Sequence, residues 1–196
     1  ELPNRIVMAP MGQYSATDGL VSDWHLVHYG SRATGGVGLI ITEMTAISET
    51  GRITEGCAGI YNAEQLNQWK KITDFIHNNT SSKIGIQLGN GPMETPWNLI
   101  SASPIPFNDN FATPKEMSLE DMTAIKAQFV QAAKNADEAG FDMIELQAHH
   151  GFLLASFLSP LTNIRTDEFG GSIENRLKYP LEVFKAIREV FTTGKP

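Results

Sequence analysis

The chain has 196 residues, 41% of them hydrophobic and 19% charged, the balance of an ordinary globular domain. A formal net charge of −7 without a Lys/Arg stripe argues against a nucleic-acid partner. The apolar runs are of strand length, too short for a membrane span. Cys57 is the only cysteine, so no intrachain disulfide can form, and the opening ELPNRIVMAP carries neither a basic stretch nor a long apolar one; both point to a reducing cytoplasm.

The pattern alternates strand and helix four times. Arg5–Met11 reads as a strand, and Ser22–Ala33 as a helix capped by Ser22 and stopped by Gly35-Gly36. Val37–Met44 is a continuous apolar run of the kind that parallel strands covered on both faces show. Asn62 caps a helix over Ala63–Asn78, with Leu66, Trp69, Ile72, Phe75 and Ile76 on one stripe. Lys83–Leu88 is the third strand.

An irregular segment with five prolines follows, from Gly89 to Glu116; so long a loop in a small domain is usually functional or disordered. Ser118 and Asp121 form a capping-box pattern for a helix over Ser118–Ala139, whose buried face is Met122, Ile125, Phe129 and Ala133. Phe141–Gln147 is the fourth strand. A short apolar helix and a polar loop with Gly170-Gly171 lead to a last helix, Ser172–Phe191. Its expected buried stripe is Leu177, Leu181, Phe184, Ile187 and Phe191, with a new turn or kink at Pro180.

Four βα units imply a parallel sheet. The expected fold is α/β, the first four units of a (β/α)8 TIM barrel, with a small doubly wound sheet as the alternative. Half a barrel leaves two open strand edges. The expected partner is therefore the remaining half, in the same native chain or another, and a homo-oligomer is one such arrangement.

The segment 145–176, ELQAHHGFLLASFLSPLTNIRTDEFGGSIENR, places donors at the carboxyl end of a strand beneath an ordered loop, as sites on α/β barrels are built. It resembles the old yellow enzyme family of FMN-dependent oxidoreductases. The likeness runs in order through residues 4–47, 83–89 and 140–188, so residues 1–196 are read as the amino-terminal half of an FMN-binding TIM-barrel domain. The segments WNLISASPIPF (97–107) and PKEMSLEDM (114–122) further resemble the reductase halves of bifunctional aryl-CoA enzymes.

The resemblance implies FMN as cofactor, NAD(P)H as electron donor and an activated C=C bond in a small molecule as substrate. It also implies roles for residues. Backbone at Ala9, Pro10, Met11 and Gly12 lies against the flavin. Gln87 pairs with its pyrimidine edge, and Met44 stands where the family has a small residue. The family's His-x-x-His or His-x-x-Asn pair, which grips the substrate carbonyl oxygen, corresponds to Gln147 and His150. Tyr14 matches an aromatic beside the substrate.

Several positions depart from the family. Phe152 stands where many relatives have a proton-donating Tyr, and Gly12 where some have Cys. Asn90-Gly91-Pro92 begins what reads as a shortened loop. His149 is an extra histidine, expected on the opposite side of the strand from His150. Glu43 reads equally as a structural ion-pair partner, and Arg176 as the partner of a loop carboxylate. Asn163, Arg165, Asp167, Glu168, Gly170 and Gly171 read as loop architecture.

His25 and His28 share a helix placed on the barrel exterior, and neither they nor a His149, His150, Glu145 cluster is read as a metal site. A catalytically impaired remnant, binding flavin or serving as a scaffold, is the competing reading.

Overall fold

Each principal helix begins at a residue that helps to satisfy its first turn. In this computed structural model, which describes residues 1–91 and 99–196, the cap of α1 (Asp23–Thr34) is a variant: His25 Nδ1 accepts from Ser22 N at 3.0 Å. At the head of α2 (Ala63–Asn79) the Asn62 side chain accepts from Gln65 N. Ser118 does the same for Asp121 N at α3 (Leu119–Glu138), and Asp121 accepts in return from Ser118 N. The short α4 (Leu153–Leu158) has no side-chain cap, whereas Ser172 accepts from Asn175 N at α5 (Ile173–Val190). Side-chain oxygens thus replace the carbonyls that the first turn lacks.

The helices link strands of one parallel sheet. β1 (Val7–Met8), β2 (Leu39–Ala46) and β3 (Lys83–Gly89) lie side by side. Within the long loop, β4 (Ile100–Ser101) pairs with β5 (Lys115–Glu116) apart from the main sheet. β6 (Met143–Leu146) returns to the main sheet beside β3. β1 is far shorter than the expected Arg5–Met11, because the Asn4 side chain accepts from Ile6 N before it and Pro10 follows. β6 stops at Leu146, short of the expected Gln147. Pro92, Trp97 and Asn98, part of the shortened-loop and aryl-CoA readings, lie outside the described residues.

The core fills the layer between sheet and helices. Tyr29, Trp69 and Phe141 pack in series, with ring centroids 5.9 and 5.5 Å apart, and Trp69 Nε1 donates to Gly59 O at 3.1 Å. Buried indoles need such a partner. α5 differs from the expected stripe. It runs through Pro180 and buries Tyr179, Pro180, Val183 and Ile187, whereas Leu181 and Phe184 are 45% and 50% exposed. The helix carries two apolar stripes. The one facing α3 and α4 is the buried one, fixed by Tyr179 Oη donating to Met122 O and by its ring against Phe157.

Arg165 ties the β4–β5 segment to the loop before α5. Its guanidinium donates to Ala102 O at 3.1 Å and Met117 O at 2.8 Å while pairing with Asp167. Among the described residues Arg176 pairs with no carboxylate; it donates to the carbonyls of Leu158 and Gly171. That loop is architecture, as its sequence suggests.

Candidate active site

The site grows from one row of the sheet. Met44 on β2 is in register with Gln87 on β3, and Gln87 with Glu145 on β6. In-register residues of parallel strands point to one face, so three polar or polarisable side chains meet at the carboxyl end of the sheet. Gln87 Nε2 donates to Glu145 Oε1, and Gln147 Nε2 donates to Gln87 Oε1 at 3.4 Å. A carboxylate only accepts, so the contact with Glu145 fixes which end of the Gln87 amide is nitrogen. Gln147 is 4% exposed, and among the described residues its buried Oε1 has no hydrogen-bond partner.

A break in the β2–β3 register between Ile41 and Met44 turns Glu43 toward the same hollow as Met44. Bulges commonly re-aim side chains in this way. Glu43 is 1% exposed, yet its carboxylate is well supplied. Oε2 accepts from Gln13 N at 2.9 Å, and Oε1 accepts from Tyr29 Oη at 3.3 Å. Tyr29 Oη in turn accepts from Glu43 N at 3.0 Å. His25 Nε2 stands 3.3 Å from Glu43 Oε1, within ion-pair range but not aligned as a hydrogen bond. Because His25 Nδ1 accepts from Ser22 N, the neutral ring carries its proton on Nε2, on the Glu43 side.

Burial, and then the Glu43 charge, hold the Tyr29 phenol well above its ordinary pKa. Burial, followed by the Arg32 charge, pulls His28 down. The helix that the sequence placed outside therefore turns both histidines inward; His25 is fully buried. Among the described residues no group of three potential ligands is placed to hold a metal ion.

Beyond β6 the chain leaves strand geometry. His150 adopts φ +58°, and Phe152 N donates to His149 O at 3.2 Å. This left-handed turn brings the His149 and His150 rings edge to face, with centroids 4.1 Å apart. Strand alternation would put His149 on the opposite side from His150. Both instead line the same hollow, since the alternation ends with β6 at Leu146. Tyr14, with φ +50°, is 56% exposed and overhangs Gly12: a Cβ added there would sit 3.1 Å from the Tyr14 ring.

The hollow has a volume of about 370 Å³. Of the sequence-predicted residues, Pro10, Gly12, Tyr14, Met44, Gln87, Gln147 and His150 line it. Ala9 and Met11, which alternate with Pro10 and Gly12, are exposed and do not. The structure adds Glu43, Glu145, His149, Ile53 and Cys57. Glu145 was legible in principle, two residues before Gln147. Ile53 and Cys57 come from the loop after β2 and carry no sequence signal. Phe152 also borders a second, apolar pocket of about 280 Å³, lined by Phe107, Phe111 and Leu161.

Comparison with known proteins agrees with this geometry. The chain is 44% identical over 194 residues to an NADPH dehydrogenase of Listeria monocytogenes and 45% identical to one of Bacillus subtilis, in each case covering 97% of this chain and 57% of the relative. The chain thus spans little more than half the length of these relatives. Among solved structures it superposes on morphinone reductase in complex with tetrahydroNAD with a TM-score of 0.89 at 33% identity, covering 99% of this chain and 59% of that one. An Old Yellow Enzyme from Pichia gives a TM-score of 0.90 at 33% identity, covering 96% and 53%. The fold is that of the first four βα units of these barrels. The description NADH:flavin oxidoreductase / NADH oxidase matches residues 1–194, and to that family the chain belongs.

Proposed function

We propose that residues 1–196 are the flavin-side half of an FMN-binding TIM-barrel domain, and that the whole protein is an FMN-dependent NAD(P)H oxidoreductase reducing an activated C=C bond. The observation that carries this reading is the convergence of Gln87, Gln147 and His150 on one hollow at the carboxyl ends of the strands. Relatives named NADPH dehydrogenase, and a relative in complex with tetrahydroNAD, support the choice of electron donor.

The donor set suits FMN. The pyrimidine edge of an isoalloxazine offers an N–H between two carbonyls. The partnerless Gln147 Oε1 calls for such a donor, because an unsatisfied buried acceptor costs about 1–3 kcal/mol. Gln87 lies beside it, its two amide N–H groups turned to Glu145 Oε1 and His149 Nε2. Backbone at Pro10 and Gly12 would face the ring, and Met44 would support it. FMN, when bound, supplies hydride transfer between the nicotinamide and the substrate.

The chain's own residues then hold and polarise. Hydride arriving at the β-carbon of an enone drives negative charge onto the carbonyl oxygen, and His150 is a donor for it. Glu43 fixes the Gln13 amide and with it the turn that carries Tyr14, which contacts substrate. Phe152 has no proton to give, so solvent protonates the α-carbon. The apolar pocket behind Phe152 supports an aromatic substrate, such as an aryl-CoA derivative. The single, buried Cys57 suits a reducing cytoplasm.

Purification of the full-length protein tests the proposal. A yellow preparation that bleaches under anaerobic NADPH and regains its colour with 2-cyclohexenone is expected. A colourless protein that ignores added FMN would overturn it in favour of a scaffold.

A further inference from the structure

We propose that His149, not Gln147, is the partner of His150 in holding the substrate carbonyl oxygen. The inference rests on the reductase reading above and changes which residue does the work. Three observations carry it.

First, Gln147 is withdrawn. It is almost fully buried and its amide nitrogen is engaged with Gln87. Its other end is a carbonyl oxygen, which repels a developing oxyanion. A Cβ added at Gly89 would fall on that oxygen, so Oε1 is packed against the β3 backbone.

Second, His149 is available. It is exposed, it lines the hollow, and its ring meets that of His150. The left-handed backbone at His150 is what brings the two rings together.

Third, the contact with Gln87 leaves His149 a proton to share. Gln87 Nε2 and His149 Nε2 are 3.4 Å apart. The amide nitrogen can only donate, so His149 Nε2 accepts and the neutral ring carries its hydrogen on Nδ1. Two imidazole N–H donors at one hollow then replace one imidazole and one buried amide.

Reduced flavin, when bound, would supply a hydride to the β-carbon of the alkene; the C=C electron pair would move onto the carbonyl oxygen, where His149 and His150 would donate to it. A solvent proton then adds at the α-carbon. The alkene is reduced by two electrons and the flavin oxidised by two.

The test uses full-length holoprotein, with the flavin reduced by light and reoxidised anaerobically by 2-cyclohexenone. His149→Ala is expected to slow reoxidation per bound flavin roughly 100-fold, the usual loss for one oxyanion donor.

A second readout needs no turnover. 4-Nitrophenolate, whose charged oxygen on an sp² carbon mimics the enolate, should bind the oxidised protein at least about 10-fold more weakly after His149→Ala. If the wild type reoxidises normally and His149→Ala alters neither rate nor phenolate binding, this inference falls and the reductase reading stands. If the wild type holds no flavin, or its reduced flavin ignores the enone, both fall.

Discussion

Glu43 is a carboxylate cut off from bulk water, and its partners show what it does. It takes the Gln13 amide on one oxygen and the Tyr29 hydroxyl on the other, with His25 alongside. Removing it strands the buried Tyr29 hydroxyl and the part-buried Gln13 amide, and a stranded buried donor costs about 1–3 kcal/mol. Glu43→Ala is therefore expected to lower unfolding stability by about 2–4 kcal/mol in urea titration. Flavin content should fall more steeply than stability, because the Gln13–Tyr14 turn loses its anchor. If flavin content stays unchanged while stability falls, Glu43 is structural alone.

Single residues also show what the sequence could and could not disclose. Gln87 and His150 were marked by the family resemblance; a glutamine inside an apolar strand needs a partner in any case, but a pair of adjacent histidines by itself reads as structural. The turning of His149 into the hollow was not legible, because it depends on where β6 stops, and no local preference marks Leu146 as the end. For His25 and His28 the sequence left surface and core equally open; Glu43, which approaches from another strand, lies beside the buried His25.

Among the elements, Asp142 joins three. It accepts from Ile84 N at 3.0 Å, Lys83 Nζ at 3.1 Å and His77 Nε2 at 2.8 Å, locking the start of β6 to β3 and α2. Burial opposes its ionisation, but the Ile84 amide, His77 and Lys83 together outweigh burial and hold its pKa below the ordinary aspartate value. A carboxylate depressed in the folded state stabilises the fold above its unfolded pKa, and that contribution is lost as pH falls through the folded value. Thermal melts from pH 6 down to about pH 2 are expected to show a shallower acid decline for Asp142→Asn than for the wild type. Parallel curves would sink this assignment.

Helix starts were the most readable elements, since Asn62, Ser118 and Ser172 all cap as their sequence suggests. Helix faces were less so. In α5 periodicity alone could not choose between the Leu181–Phe184 side and the Tyr179–Val183 side; contact with α3 and α4 chose. The short β1 and the β4–β5 pair rest on tertiary contacts that no local pattern announces.

At the scale of the whole molecule, the sheet has two edges, β1 and β6. Ile6 and Val7 are exposed beside one, and Phe184 stands near Ile144 and Leu146 at the other. At the β6 edge Ile144 N donates to Pro196 O at 3.2 Å, which covers it in part; strand edges flanked by apolar side chains recruit partners. The 196-residue chain by itself is therefore expected to associate with rising concentration in sedimentation velocity and to bind more of a hydrophobic dye than the full-length protein does. A monomer at all concentrations, with no excess dye signal, would count against open edges.

The left-handed backbones at Tyr14, Asp18 and His150 set up a conflict for anyone seeking a hardier protein. Glycine accepts that conformation freely, while a side chain there costs of order 1 kcal/mol or more. Asp18 lies away from the hollow, so Asp18→Gly should leave melting unchanged or raise it slightly, with catalysis intact. The identical swap at His150 should be equally kind to the melt and ruinous to turnover. Heat resistance and chemistry would then be seen to part company at one torsion angle, with calorimetry rewarding the very change that an enone assay condemns.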